Sequence, residues 1–324
     1  MKVGIEKQSW PLVAPFRFAG YEIAASDVVV VTLDDGEVRG RGEATGVIYR
    51  GETPDTIFAQ IAAVADRLKA ALDRHALQAL LPPGGARNAI DCALWDLACK
   101  REGLTIWSLL DIHPKRIVTC NTVGLDPVDA AKARAAALSD YGLLKVKVDA
   151  VDPIGRLEAV RAARPDARLI IDVNGSWTMD ILARSLEPLL ALGIEMIEQP
   201  LPPGRDGALK GFDSPIPLCA DESCLVADDV AALAERYSMI NIKLDKCGGL
   251  TEALELAAAA RREGLDLMVG NMIGTSLSMA PSYVIAQSCR YSDLDGPLAL
   301  TRDRRFGLSY DHGQISIPEP RLWG

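Results

Sequence analysis

The stretch LLKVKVDAVDPIGRLEAVRAARPDARLIIDVNG, residues 143–175, holds two short apolar runs on either side of an Ala/Leu-containing segment of helical length. Residues 143–148 and 168–173 have the length and β-branched content of strands, so the stretch reads as strand, helix, strand. The same alternation extends in both directions. Strands are expected at 117–123, 143–148, 168–173, 194–198, 216–220, 239–244, 265–269 and 290–294, with a helical segment between successive ones. Eight strands at the spacing of a βα unit match a closed parallel barrel. An open doubly wound sheet is the competing architecture, but the first strand-to-helix turn lacks a GxGxxG signature.

The residues before about 115 follow a different pattern. VVVVTLDDGEVRGRGEA (28–44) sets two runs around Asp35-Gly36, the signal of a hairpin. Helices are expected from Pro54 to Arg74, capped by Thr53, and from Ala86 to Glu102, ending at Gly103. This is an α+β module. The expected division is therefore an α+β capping domain over 1–115 and a barrel over 116–312. The tail 313–324 should return to the capping domain.

Composition narrows the function classes. The chain has 324 residues, with 49% apolar and 24% charged, which suits an ordinary folded protein with a large core. Lys+Arg 35 against Asp+Glu 44 gives a net charge of −9, and no basic cluster tracks a helix face, so no nucleic-acid partner is expected. No apolar run is long enough to span a membrane and no signal-like leader is seen, so a cytoplasmic location is expected. Seven cysteines without a CxxC pair read as core thiols, and Cys92 and Cys99 fall inside an apolar helical pattern. Three scattered histidines, His75, His113 and His312, leave no basis for a His triad or a His–metal cluster.

Strand parity selects the chemistry, because side chains in a barrel strand alternate between the interior and the helix layer. In 143–149, Leu144, Val146 and Val148 suit the helix layer, which turns Lys145 and Lys147 inward together. Taken alone, the KVK tripeptide reads better as a solvated edge strand with alternating lysines. Asp172, Glu198 and Asp221 then stand at the ends of three consecutive strands. Three acids on one rim repel one another unless they share a cation, and hard oxygen ligands favour Mg²⁺. In the sixth strand Lys243 turns inward, whereas Lys246 has the opposite parity and reads as a solvated loop lysine. In the last strand Asp293 and Asp295 share a parity, although a bare DxDG also fits an Asp-Gly turn.

The order KVK (145–147), DVN (172–174), EQP (198–200), ADES (220–223) and NIK (241–243), followed by Gly248-Gly249, resembles the muconate-lactonizing subgroup of the enolase superfamily. The DxD-Gly-Pro pattern at 293–297 is most similar to the dipeptide epimerases of the L-Ala-D/L-Glu epimerase family. The resemblance implies a (β/α)7β barrel with an N-terminal capping domain and abstraction of a proton α to a carboxylate. It implies Asp172, Glu198 and Asp221 as Mg²⁺ ligands, and Lys145 as the group that polarises the substrate carboxylate. Lys147 and Lys243 would be the acid/base pair, and Asp293 and Asp295 the partners of a dipeptide ammonium. Other two-lysine enzymes stand as alternatives: N-acylamino acid racemase, o-succinylbenzoate synthase and muconate cycloisomerase. A non-catalytic metal-binding scaffold is a further one. A homo-oligomer is compatible with all of them.

In relatives acting on L-Ala-D/L-Glu, an arginine in the first capping loop pairs with the glutamate side chain. Here that loop, FRFAGYEIAASD, offers Tyr21, Glu22 and Ile23, with Arg17 earlier and Arg50 in a second loop. Tyr21 and Ile23 suit an apolar substrate side chain, Glu22 a cationic one, and Arg50 an anionic one. The expectation is that Ala-Glu is not the best substrate and that an apolar or basic C-terminal residue is preferred.

Overall fold

The computed structural model describes residues 1–18, 20–70 and 73–324. The chain opens with three antiparallel strands, β1 (Lys2–Phe18), β2 (Tyr21–Asp34) and β3 (Arg39–Ala44). The β2–β3 hairpin turns at Asp35-Gly36, as its sequence requires. The stretch expected as the first loop, FRFAGYEIAASD (16–27), falls largely in the end of β1 and the start of β2. The two strands pair from Lys2↔Asp34 to Phe18↔Tyr21, with a register shift between Pro11 and Phe16.

Helix α1 (Pro54–Lys69) starts in a reciprocal cap. Thr53 Oγ1 accepts from Thr56 N at 3.2 Å, and Thr53 N donates to Thr56 Oγ1 at 2.8 Å. It buries Ile57, Ile61, Val64 and Leu68, one stripe at helical spacing. The helix expected to reach Arg74 ends earlier. Arg74 instead begins a separate helix, α2 (Arg74–Leu80), because the Asp73 carboxylate caps Ala76 N at 2.7 Å. Helix α3 (Gly85–Glu102) ends at Gly103 in the left-handed region and packs against β3. That packing needs glycine, since a Cβ at Gly42 would lie 2.1 Å from the Ala89 carbonyl oxygen.

The expected strand 117–123 divides in two. β4 (Ile117–Val118) joins a small sheet with two strands near the C terminus, while β5 (Asn121–Val123) begins the barrel. The barrel continues with β6 (Leu143–Lys147), β7 (Arg168–Asp172), β8 (Ile194–Glu198) and β9 (Leu218–Ala220). It ends with β10 (Met239–Ile242), β11 (Asp266–Val269) and β12 (Tyr291–Ser292). All eight are parallel neighbours in sequence order. Cys120 N donates to the Ser292 carbonyl at 2.8 Å and brings the last strand back to the first. The small sheet is completed by β13 (Tyr310–Asp311) and β14 (Gln314–Ile315).

Two layers fill the barrel along each strand's inward parity. Cys120, Leu143, Ile170, Met196, Cys219, Met239, Met268 and Tyr291 form a closed apolar plug at the bottom. One residue pair further along each strand, the inward positions become Thr122, Lys145, Asp172, Glu198, Asp221, Asn241 and Asp293. The opposite parity, including Leu144, Val146, Leu169, Ile171, Ile240 and Ile242, packs against the helices. The plug excludes water from below, so the polar layer is open only toward the C-terminal ends of the strands.

Buried carboxylates tie the N-terminal strands and helices to the barrel. Asp245 Oδ1 accepts from Thr45 N at 3.1 Å and Gly46 N at 2.9 Å, fixing the chain that leads into Ile48 and Tyr49. Asp91 accepts from Thr251 N at 2.9 Å and Thr251 Oγ1 at 2.6 Å. The C-terminal residues lie on α3, with Trp323 Nε1 donating to the Cys92 carbonyl and Gly324 N to Asp96 Oδ1, both at 2.9 Å.

Candidate active site

Lys145 is buried at the centre of the polar layer. Its ammonium lies 2.8 Å from Glu198 Oε2, 2.8 Å from Asp293 Oδ2 and 3.0 Å from Asp172 Oδ2. Lys147 Nζ donates to Asp172 Oδ2 at 2.6 Å and Asn174 Oδ1 at 2.8 Å. On the far side, Lys243 Nζ donates to Asp221 Oδ2 at 2.6 Å. The solvated-edge reading of Lys145 and Lys147 therefore fails, because β6 lies between β5 and β7 and both ammonium groups are enclosed. The Asp-Gly-turn reading of Asp293 fails as well: Asp293 is buried, and Asp295 Oδ2 accepts from Thr122 N at 2.8 Å.

Lys246 also departs from its expected place. It is buried, donating to Asp221 Oδ1 at 2.5 Å, to the Asn241 carbonyl at 3.0 Å and to the Asp221 carbonyl. Strand parity misplaces it because β10 stops at Ile242 and the chain enters a helical turn, Leu244–Cys247, which brings Lys246 back under the site.

Oxygens of Asp172, Glu198 and Asp221 lie within 4.8 Å of one another, and all three residues are buried. Their charges are held by the lysines. Burial alone would raise Asp172 and Asp221. Lys145 and Lys147 outweigh it at Asp172, as Lys243 and Lys246 do at Asp221, and both carboxyls fall below the usual range. At Glu198, burial and the neighbouring Asp172 carboxylate prevail over Lys145 and push the carboxyl up to about 8. Burial opposes the Lys145 ammonium, but Asp172, Asp293 and Glu198 overcome it and raise its pKa.

The residues fit a divalent cation. The donors are all oxygen, and Glu222 Oε2 beside them is buried with no hydrogen-bond partner among the described residues. Gln199, with a left-handed φ of 39°, bonds through Oε1 to Asp221 N at 2.9 Å and Ser223 N at 3.2 Å, fixing the β9 end.

A cavity of about 250 Å³ opens above this layer, lined by Lys145, Lys147, Lys243, Asp293 and Asp295 from the barrel. Phe16, Phe18, Ile23, Ile48 and Tyr49 line it from the N-terminal strands and the turn after β3. Of the expected specificity residues, only Ile23 reaches this lining. Tyr21 stacks on Phe18 with ring centroids 5.6 Å apart, at the edge. Glu22 is paired with Arg17 at 2.8 Å, and Arg50 is exposed in the 3₁₀ turn Ile48–Arg50. Both lie outside the cavity lining.

Residues 128–320 match the family model described as enolase C-terminal domain-like. Residues 1–111 match the N-terminal domain of the mandelate racemase/muconate lactonizing enzymes. The chain belongs to the enolase superfamily, in its mandelate racemase/muconate lactonizing family. It is 42% identical to an L-Ala-D/L-Glu epimerase of Escherichia coli over 97% of this chain and 99% of that protein. Among solved structures it superposes on an enolase family member from Agrobacterium tumefaciens with homology to dipeptide epimerases, determined with sodium and L-Ala-L-Glu. That match has a TM-score of 0.96 and 42% identity, over 99% of each chain. A dipeptide epimerase from Methylococcus capsulatus, complexed with Mg and L-Arg-D-Lys, gives a TM-score of 0.88 and 32% identity, over 99% of this chain and 98% of that one.

Within this enolase-superfamily frame, three contributors go unread in the sequence, Asn174, Asn241 and Glu222, and Lys246 is read there as a solvated lysine. Asn241 Nδ2 donates to Glu198 Oε1 at 2.8 Å, and Asn174 Nδ2 to Glu222 Oε1 at 3.0 Å. Asn241 shares the inward parity of Lys243, so that rule extended by one position would have found it. Asn174 lies beyond the strand with φ 46°, where parity no longer applies.

Proposed function

We propose that the chain is a Mg²⁺-dependent dipeptide epimerase that inverts the α-carbon of the C-terminal residue by two-base 1,1-proton transfer. The observation that carries this reading is the position of Lys147 and Lys243. They come from separated strands, β6 and the end of β10, and line one cavity beside a buried acidic triad. The epimerases among its relatives support it.

Asp172, Glu198 and Asp221 would hold the cation, whose charge stabilises the substrate carboxylate as it takes up the electron pair from the α-carbon. Lys145, at the centre of the carboxylate cluster, adds a fixed positive charge at that carboxylate. One of Lys147 and Lys243, as a neutral amine, accepts the α-proton, leaving an enediolate. The other, as an ammonium, donates a proton to the opposite face of the same carbon. The two lysines exchange protonation states in each turnover, and the configuration inverts. Asp293 and Asp295 receive the substrate's free ammonium and so select a dipeptide over an N-acylated amino acid. The seven thiols are unpaired, which suits the reducing cytoplasm.

The test is incubation of a dipeptide library with the Mg²⁺-loaded protein in D₂O, read by mass spectrometry for α-deuteration. Deuterium in the C-terminal residue and accumulation of the epimer are expected. Better turnover of N-acyl or N-succinyl amino acids would replace this reading with the racemase or synthase one. Mg²⁺ binding by calorimetry without turnover of any of these substrates would leave the metal-binding scaffold.

A further inference from the structure

We infer that the C-terminal residue of the preferred dipeptide carries an apolar side chain; this rests on the epimerase reading above. The β1–β2 register decides it. Phe16 pairs with Ile23, Arg17 with Glu22, and Phe18 with Tyr21. Cross-strand partners share a face and successive residues alternate, so Phe16, Phe18 and Ile23 present one surface and Arg17 and Glu22 the other. The apolar surface is the one that lines the cavity, where Ile48, Met272 and Ile273 continue it. Arg17 is spent on the opposite face, 2.8 Å from Glu22 and 3.5 Å from Asp126.

The cavity therefore offers no guanidinium to a substrate carboxylate. Among the described lining residues the cations are Lys145, Lys147 and Lys243, each bound to a carboxylate of the reacting centre. Two of the lining hydroxyls are committed as well. Ser26 Oγ and Thr45 Oγ1 both donate to the Ile273 carbonyl, at 2.5 and 3.1 Å. Asp27, Glu52 and Glu222 add negative charge to the lining. A glutamate side chain would lose water and meet acceptor oxygens, an uncompensated loss that an apolar group does not suffer. A basic side chain finds Glu22 engaged with Arg17, and Glu52 accepting from Val47 N and Gly85 N. Of the other lining carboxylates, Glu222 lies beside the triad that would hold the cation, and Asp293 and Asp295 would take the substrate ammonium, which leaves Asp27, exposed on β2.

The experiment measures kcat/KM for L-Ala-L-Xaa with Xaa = Leu, Met, Phe, Glu and Lys, by α-deuteration in D₂O, for the Mg²⁺-loaded protein and for Ile23→Arg. The wild type should favour the apolar dipeptides at least tenfold over L-Ala-L-Glu and L-Ala-L-Lys. Ile23→Arg should lower the apolar values and raise that for L-Ala-L-Glu, with Mg²⁺ binding by calorimetry showing that the variant is folded. A wild type fastest on L-Ala-L-Glu, or fastest on L-Ala-L-Lys with that preference lost in Asp27→Asn, would overturn the inference while leaving the epimerase reading intact. Absence of deuteration in every dipeptide would overturn both.

Discussion

Replacing either flanking lysine with alanine should separate proton exchange from inversion. In the structure each of these lysines shares its carboxylate with a second ammonium. Asp172 keeps Lys145 at 3.0 Å when Lys147 is removed, and Asp221 keeps Lys246 at 2.5 Å when Lys243 is removed. The stability cost should then be that of one charge-assisted hydrogen bond, about 1.5–3 kcal/mol. A positioned acid or base contributes roughly 10²–10⁴-fold in rate, which is about 3–5 kcal/mol of barrier. Lys147→Ala and Lys243→Ala should thus remain folded and bind Mg²⁺, yet lose inversion by at least that factor. The assay is proton NMR in D₂O on each pure epimer of one dipeptide. Each variant should still wash the α-proton out of the epimer whose exposed face meets the surviving lysine, with retention, and the two variants should act on opposite epimers. Full inversion by either variant refutes the two-base reading. Loss of all exchange in both, with Mg²⁺ binding retained, refutes the assignment of one lysine to each face.

N-acetylation of a good dipeptide substrate should lower kcat/KM by roughly 10- to 150-fold, the equivalent of about 1.5–3 kcal/mol for a lost charged partner at Asp293 or Asp295. Steady-state kinetics on the matched pair checks it. Lys246→Met leaves Asp221 Oδ1 without its donor and takes one donor from each of the Asn241 and Asp221 carbonyls. It should destabilise the protein by about 3–5 kcal/mol, read from the urea midpoint. Removing metal with EDTA should abolish exchange but leave the far-UV circular dichroism unchanged, since the lysines already balance the triad. Asp221→Asn should lose calorimetric Mg²⁺ binding. Gly42→Ala forces a Cβ to within 2.1 Å of the Ala89 carbonyl oxygen, so β3 and α3 must part and the melting temperature should fall by several degrees.

The sequence carried the barrel because an eight-fold alternation of apolar strand and helix has few other ways to bury its surfaces. It carried the candidate site residues because a period of two is rigid within a strand. Lys145, Lys147, Asp172, Glu198, Asp221 and Lys243 all lie within a strand or within one residue of its end, and each takes the inward side that its neighbours dictate. Asp293 follows from the same rule. That regularity ends where the backbone leaves the strand. Lys246 returns through a helical turn and Asn174 through a left-handed residue, and both were misjudged or unread for that reason.

The apolar cavity wall depended on strand pairing and register. Nothing local in FRFAGYEIAASD tells a loop from two paired strands, and a slip of one residue in register would exchange Arg17 and Glu22 for Phe16 and Ile23 on the cavity side. The packing of β1 on β2 decided which of these side chains faces the cavity. In the same way, the contact of Asp245 with Thr45 and Gly46 decided that Ile48 and Tyr49, and not Arg50, face the site. Periodicity within one element is written in consecutive residues, whereas the facing of two elements is fixed by contacts between them, which for Asp245 reach across two hundred residues of chain and which no single-element pattern records.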